Sequence, residues 1–230
     1  LWEFESVPSS GNPGNDTWEG DSWIGRLGAN AWPFYFTVDD AKDQLYIPLA
    51  SPIPFAYGGD RAGANLYANA IVAVDIYSGE YNWHFQTIHH DLWDHDPPAP
   101  PTLFDVNYNG DTIPALGITT KSGYLFVLNR DTGEPVYGVT EASVAQSQVP
   151  GERTFATQPI PVKPEPLARV SYDESDLVTA QDTSVEHASA CRDLVNSAGI
   201  IHNTGPYTPW VYRPDTSNED VTLLFPGLSG

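Results

Sequence analysis

Three of the chain's six histidines fall in one short run, His89-His90-Asp91-Leu92-Trp93-Asp94-His95-Asp96. Six of these eight side chains are able to bind a metal, act as a general base, or both. Pro97-Pro98 follows, so the run is a rigid loop and not a helix. In an extended loop alternate side chains share a face, which lets Asp94 and Asp96 aim at one cation. Carboxylate oxygens without cysteine suit a hard metal such as calcium or magnesium, whereas the imidazoles suit zinc or iron. The plainer alternative is a solvated acidic turn with structural histidines. Cys191 is the single cysteine, which excludes an intramolecular disulfide and a multi-cysteine zinc site.

The rest of the chain has to hold that loop. Its 230 residues carry ten Lys or Arg against thirty Asp or Glu, a net charge of −20. Phosphate recognition needs a positive stripe, so this balance argues against a nucleic-acid partner and equally against docking on anionic lipid. At 40% hydrophobic and 12% aromatic the chain is apolar enough to build a core. No apolar run approaches the roughly 18 residues of a membrane helix. Methionine is absent, residues 1–4 read as the middle of a strand, and residues 223–227 read as a strand running into a turn. These features are those expected of a piece of a longer protein.

Twenty-one prolines and nineteen glycines disfavour long helices and favour short strands between turns. Residues 34–38 and 44–49 flank one turn, and 69–76 and 81–87 flank another. Residues 115–119, 124–128 and 135–139 continue the series as antiparallel hairpins. A helix-like stretch lies between 176 and 197, where Cys191 is expected to be buried and inert. The proline-rich segment 149–167 reads as extended. Ala73-x-Asp75-x-x-Ser78-Gly79-x-x-x-Trp83 recurs 54 residues later as Val127-x-Asn129-x-x-Thr132-Gly133-x-x-x-Tyr137. Trp2, with Phe4 beyond it, resembles the tail of a third copy. Repeats of this kind, with four strands each, point to propeller blades. An ordinary β-sandwich with two similar hairpins is the competing architecture.

The repeat ending in Trp83 resembles the tryptophan-docking motif of the pyrroloquinoline quinone (PQQ)-dependent dehydrogenases. The run from Gln86 through His89-His90-Asp91 to Trp93-Asp94-His95-Asp96 is similar to that family's catalytic loop, especially in its glucose-dehydrogenase-like branch. Lys121-Ser122-Gly123-Tyr124 with Asn129-Arg130 resembles the following blade, and Pro150-Gly151-Glu152-Arg153 with Thr157-Gln158-Pro159 the excursion after it. The resemblance implies an all-β fold, part of an eight-bladed β-propeller. About three blades of four-stranded antiparallel sheet would lie in residues 1–230, with an excursion over about 140–205 between blade strands.

It also implies site residues. Asp94 matches the catalytic base beside the metal. Lys121 matches the basic residue that hydrogen-bonds both the quinone and that aspartate. Trp32, before Pro33-Phe34-Tyr35, matches the tryptophan on which the quinone stacks. Ser51 falls where alcohol-oxidising relatives carry a metal-binding asparagine. Asp96 sits where lanthanide-using relatives carry an extra aspartate, although the glucose-dehydrogenase-like branch has an acid there too. The metal set is therefore Asp94, Asp96 and Ser51, for Ca2+ or alternatively a lanthanide or Mg2+. His89 and His90 are expected only to shape the loop. The implied activity is oxidation of a sugar or alcohol hydroxyl by hydride transfer to metal-bound PQQ. Its electrons would pass to a quinone or cytochrome, in a periplasmic or secreted protein. A non-catalytic propeller acting as a scaffold would need the Trp83 motif but not Asp94, Asp96 and Lys121 together. A hydrolase using Asp94 and Asp96 as its acid and base would place them too close for an intervening water.

Overall fold

The computed structural model describes residues 1–32, 34–215, 217 and 219–227. Its strands are β1 (Leu27–Gly28), β2 (Thr37–Asp39), β3 (Gln44–Pro48), β4 (Pro52–Ile53), β5 (Ala70–Asp75), β6 (Tyr81–Gln86) and β7 (Thr102–Tyr108). They continue as β8 (Asp111–Thr119), β9 (Leu125–Asn129), β10 (Val139–Ser143), β11 (Thr157–Pro161), β12 (Ile201–His202) and β13 (Val221–Thr222). Among the described residues one α-helix, α1 (Val185–Asn196), falls inside the helix-like stretch read from the sequence.

Strands β2-β3-β5-β6 form a four-stranded antiparallel meander. Its inner strand β5, Ala-Ile-Val-Ala-Val-Asp, is buried over its first five residues, because β3 and β6 flank it and both faces are covered. Strands β7-β8-β9 form a second meander of three strands. A fourth strand expected over 135–139 is reduced to one bridge between Leu128 and Pro135, and the chain leaves to pair β10 with β11. Residues 1–4 and 223–227 form no strand; β13 ends at Thr222, and it pairs in parallel with β12.

The repeat motif fixes both the turns and the contact between sheets. Asp75 accepts hydrogen bonds from the Tyr77 N–H (3.0 Å), the Ser78 N–H (2.7 Å) and the Ser78 hydroxyl (2.8 Å), which closes the turn. Gly79 at φ 73° and Gly133 at φ 76° then take the left-handed conformation. Each is also where an indole lies flat. A Cβ on Gly133 would sit 2.5 Å from the Trp83 ring, and one on Gly79 2.4 Å from Trp2. Trp83 Nε1 donates to Arg130 O (3.1 Å) and Trp2 Nε1 to Ile76 O (3.0 Å), the same position of the two repeats. Gln44 Nε2 (2.8 Å) and the Tyr46 hydroxyl (3.1 Å) donate to that Arg130 carbonyl as well.

The main core lies between the sheets. Tyr46, Ile71 and Trp83 come from the first, and Leu116, Phe126 and Leu128 from the second. Ile88, Leu92, Trp93 and Tyr207 belong to the same cluster, so the acidic loop is built into the core. Helix α1 lies outside it. Ala188 is its one buried residue, and Leu194 and Val185 are exposed. Cys191 is half-buried, contrary to expectation, because the helix rests on the protein by a narrow face.

Candidate active site

Asp91 folds the acidic loop. Its carboxylate accepts from the backbone N–H of Trp93 (2.8 Å) and of His95 (2.9 Å), pulling the chain into a tight turn. It also accepts from Asn69 Nδ2 (2.8 Å) and from the Ser51 hydroxyl. Arg61, wholly buried, donates to the Asp91 backbone carbonyl and to Asn65 Oδ1 (2.8 Å). Complete burial raises the Asp91 carboxyl above the usual range, with the Ser51 and Trp93 hydrogen bonds opposing that rise.

Asp94 and Asp96 meet Lys121, which sits in the turn between β8 and β9. Lys121 Nζ donates to Asp94 Oδ2 at 2.8 Å and to Asp96 Oδ2 at 3.0 Å. The Lys121 N–H donates to Asp96 O (2.9 Å), so backbone and side chain tie the same two segments. The other oxygen of Asp96 accepts from the Ser51 N–H (2.6 Å) and the Ser51 hydroxyl (2.7 Å). The carboxylates differ in access: Asp96 is 3% exposed and Asp94 23%. Desolvation raises the Asp94 carboxyl above its ordinary value, and Asp96 and Asp91 add to the rise while Lys121 opposes it. Burial alone would lower the Lys121 ammonium, but its bonds to Asp94 and Asp96 outweigh that and raise it. The cluster thus presents one open, unusually basic carboxylate beside a firmly charged ammonium.

The histidines do not take part. His95 is fully buried, its ring stacks on Trp93 (6.1 Å between centroids), and burial lowers it to about 3, so it stays neutral. Burial lowers His90 to about 4, and its Nδ1 is 2.9 Å from Gly63 O, so a neutral ring donates there. His89 is held through its backbone. Its N–H donates to Gln158 Oε1 (2.8 Å) and its carbonyl accepts from Gln158 Nε2 (2.6 Å).

Of the residues read from the sequence, Ser51, Asp94, Asp96 and Lys121 come together through direct bonds. Trp32 does not join them. It is 40% exposed, and its ring contact is with Tyr35 (6.3 Å); Pro33 lies outside the described residues. The backbone just before Trp32 runs beside Ser51, with the Ala29 N–H donating to Ser51 O (3.0 Å) and Ala31 bridging Leu49. Asn69, Arg61, Gln158, Thr208 and Trp210 support the loop and were not anticipated. Only Gln158 carried a signal, as part of the Thr157-Gln158-Pro159 motif.

Hard cations take six to eight oxygen donors. Asp94 and Asp96 offer two carboxylates, and Asn69 Oδ1 is a buried oxygen without a partner next to Ser51 and Asp91. Among the described residues no group of three or more His, Cys, Asp or Glu side chains is placed to hold an ion. The residues present therefore fit part of a hard cation's shell. Lys121 fits an electron acceptor that gains negative charge.

Docked tryptophans between antiparallel meanders, with a carboxylate–lysine cluster on their connecting loops, are the make-up of β-propeller blades. The chain belongs to the family described as "PQQ: Glucose/ethanol/alcohol dehydrogenase, beta-propeller domain", whose model matches residues 1–230. It is similar to quinoprotein glucose dehydrogenase A of Acinetobacter calcoaceticus, 35% identical over 239 residues, covering 100% of this chain and 27% of that protein. The quinate/shikimate dehydrogenase (quinone) of Acinetobacter baylyi is 34% identical over 207 residues, covering 89% of this chain and 24% of that one. The crystal structure of quinohemoprotein alcohol dehydrogenase from Comamonas testosteroni aligns with a TM-score of 0.51 at 27% identity, over 64% of this chain and 22% of that one. The chain spans about a quarter of the length of the curated relatives it matches.

Proposed function

We propose that the intact protein is a PQQ-dependent dehydrogenase that oxidises a sugar or alcohol hydroxyl. The observation that carries this is the ammonium of Lys121 bonded at once to the open Asp94 and the sealed Asp96. Bound PQQ would supply the two-electron acceptor for hydride, and a hard cation beside it Lewis acidity. Everything else falls to side chains of this chain. Asp94 takes the substrate hydroxyl proton as the carbon-bound hydrogen leaves as hydride, and its raised basicity suits that task. Lys121 orients Asp94 and places positive charge where the acceptor gains negative charge. Asp96, locked by Ser51, anchors Lys121. Trp32 offers an open ring face on which a planar cofactor can rest.

Asp94 and Asp96 would contribute oxygens to the cation, for which Ca2+ is preferred over Mg2+ or a lanthanide. Ser51 is spent on its two aspartates, which favours a supporting role over direct ligation. The reading carries with it a quinone or cytochrome as electron acceptor and a periplasmic or secreted location. It also takes residues 140–205 as an excursion between blade strands, in keeping with the exposure of α1.

Asp94→Asn in the full-length protein tests the assignment. It keeps the shape of the side chain and removes the base, so quinone-dependent turnover should fall about 10²–10⁴-fold while the protein stays folded. Full turnover by Asp94→Asn, or by wild type stripped of quinone and metal, would overturn the reading.

A further inference from the structure

The loop that carries Asp94 is fastened by residues more than a hundred positions downstream. Trp93 Nε1 donates to Thr208 O at 2.7 Å, across 115 residues of sequence. Trp210 Nε1 donates to Leu92 O at 2.6 Å, across 118. The two bonds are reciprocal. Each segment gives one indole N–H and one backbone carbonyl, and the bonded residues are adjacent on the loop and two apart on the other side. Trp93 and Thr208 are both buried, so water cannot replace the bond between them, and the Trp210 bond beside it is partly buried. The Tyr207 ring closes the same face, edge-on to Trp93 (5.5 Å) and to His95 (6.2 Å).

Asp94 lies between the residues so held. Its φ is 60°, in the left-handed region, which an aspartate adopts less readily than a glycine. Such a backbone persists only where its surroundings over-determine it. Leu92 and Trp93 are fixed on one side by the paired indoles, and His95 on the other by its N–H to Asp91 (2.9 Å) and by Tyr207. The Asp94 side chain departs from that backbone and its carboxylate accepts from Lys121 Nζ at 2.8 Å.

We propose that Trp210, paired with Trp93 through the 207–210 segment, is a positioning residue for Asp94. It acts through the loop backbone, touching neither substrate nor cofactor. The inference rests on the reading of Asp94 as the base.

The test compares Trp210→Phe with Trp2→Phe in the full-length, quinone-loaded protein. Both keep an aromatic ring and lose one indole-to-carbonyl hydrogen bond; Trp2 donates to Ile76 O (3.0 Å) at the turn between β5 and β6, away from the loop. For Trp210→Phe, kcat should fall about ten- to a hundredfold with KM within about twofold, as misplacement of a catalytic group produces. Amide hydrogen exchange over residues 91–96 should quicken roughly two- to tenfold while β8 and β9 hold their rates. Trp2→Phe should leave kcat and that exchange unchanged. Wild-type kcat in Trp210→Phe, equal losses of kcat in both variants, or unchanged exchange over 91–96 would each overturn the proposal. If wild type itself shows no quinone-dependent turnover, the dehydrogenase reading fails, and the exchange result alone decides whether the indoles hold the loop. Should Trp210→Phe not fold, Thr208→Val loosens the same turn, because it removes the hydroxyl that donates to Gly205 O (2.7 Å) and accepts from the Thr204 N–H (2.8 Å). It should show the same split of kcat from KM, and its absence would count against the clamp.

Discussion

The two copies of the repeat agree through their turns and part company after them. The Gly79 N–H donates to Asp75 O (2.9 Å) and the Gly133 N–H to Asn129 O (2.8 Å). The Asp75 N–H donates to Glu80 O and the Asn129 N–H to Glu134 O, both at 2.8 Å. One residue later the first copy has Tyr81, and strand β6 runs on for six residues to carry Trp83 into the core. The second copy has Pro135 there. Pairing shrinks to one bridge, flanked by the Val136 N–H donating to Val127 O (2.8 Å), and Tyr137 stays half-buried against Tyr108 (5.2 Å). The motif therefore dictates the turn and the docking glycine, and the two copies first part at the residue after it, Tyr81 against Pro135.

Five substitutions in the full-length protein probe that contrast. The largest effect is expected from Trp83→Ala, which empties a buried indole site and orphans part of the contact on Gly133. It should lower unfolding stability by about 3–5 kcal/mol in urea titration, against about 1–2 for Tyr137→Ala. Equal losses would mean that the second aromatic is docked as firmly as the first. Gly133→Ala comes next. It combines a left-handed backbone with a Cβ 2.5 Å from the Trp83 ring, and should cost about 2–3 kcal/mol. Gly79→Ala, facing the half-buried Trp2, should cost less. The smallest change belongs to Pro135→Tyr, which removes the ring that fixes φ at the start of the missing strand. Stability should move by less than about 1 kcal/mol, but amide protection should rise over residues 135–137. Unchanged protection would show that proline is not what shortens the strand.

Local chemistry was legible in the sequence and long-range chemistry was not. The Asx–Ser/Thr–Gly turns and the hairpins around 39–43 and 77–80 rest on residues a few positions apart, and the docking of Trp83, 47 positions from Arg130, was legible only because the motif repeats. Asp94 meeting Lys121 was also legible, but through family resemblance and not through spacing. Strand β7 was missed because prolines precede it and both its faces carry exposed residues, so its pattern resembles a loop. The amide of Gln158 gripping the His89 backbone, and the indole of Trp210 on Leu92, depend on three-dimensional return of the chain, which no periodicity records. Ser51 shows a subtler limit. Its place beside the aspartates was foreseen as a ligand's, yet both its backbone N–H and its hydroxyl are turned to the carboxylates themselves.

The paired indoles have a consequence for how this chain can vary. By joining residues 92–93 to 208–210 they close a loop of more than a hundred residues, and the entropy of closing a loop rises only with the logarithm of its length. Doubling the intervening chain would add about 0.6 kcal/mol. Within that loop, the stretch that packs least on the core, α1 with its exposed faces, can lengthen or shorten at little loop-closure penalty. The acidic loop would not register the change so long as both anchors return to meet it.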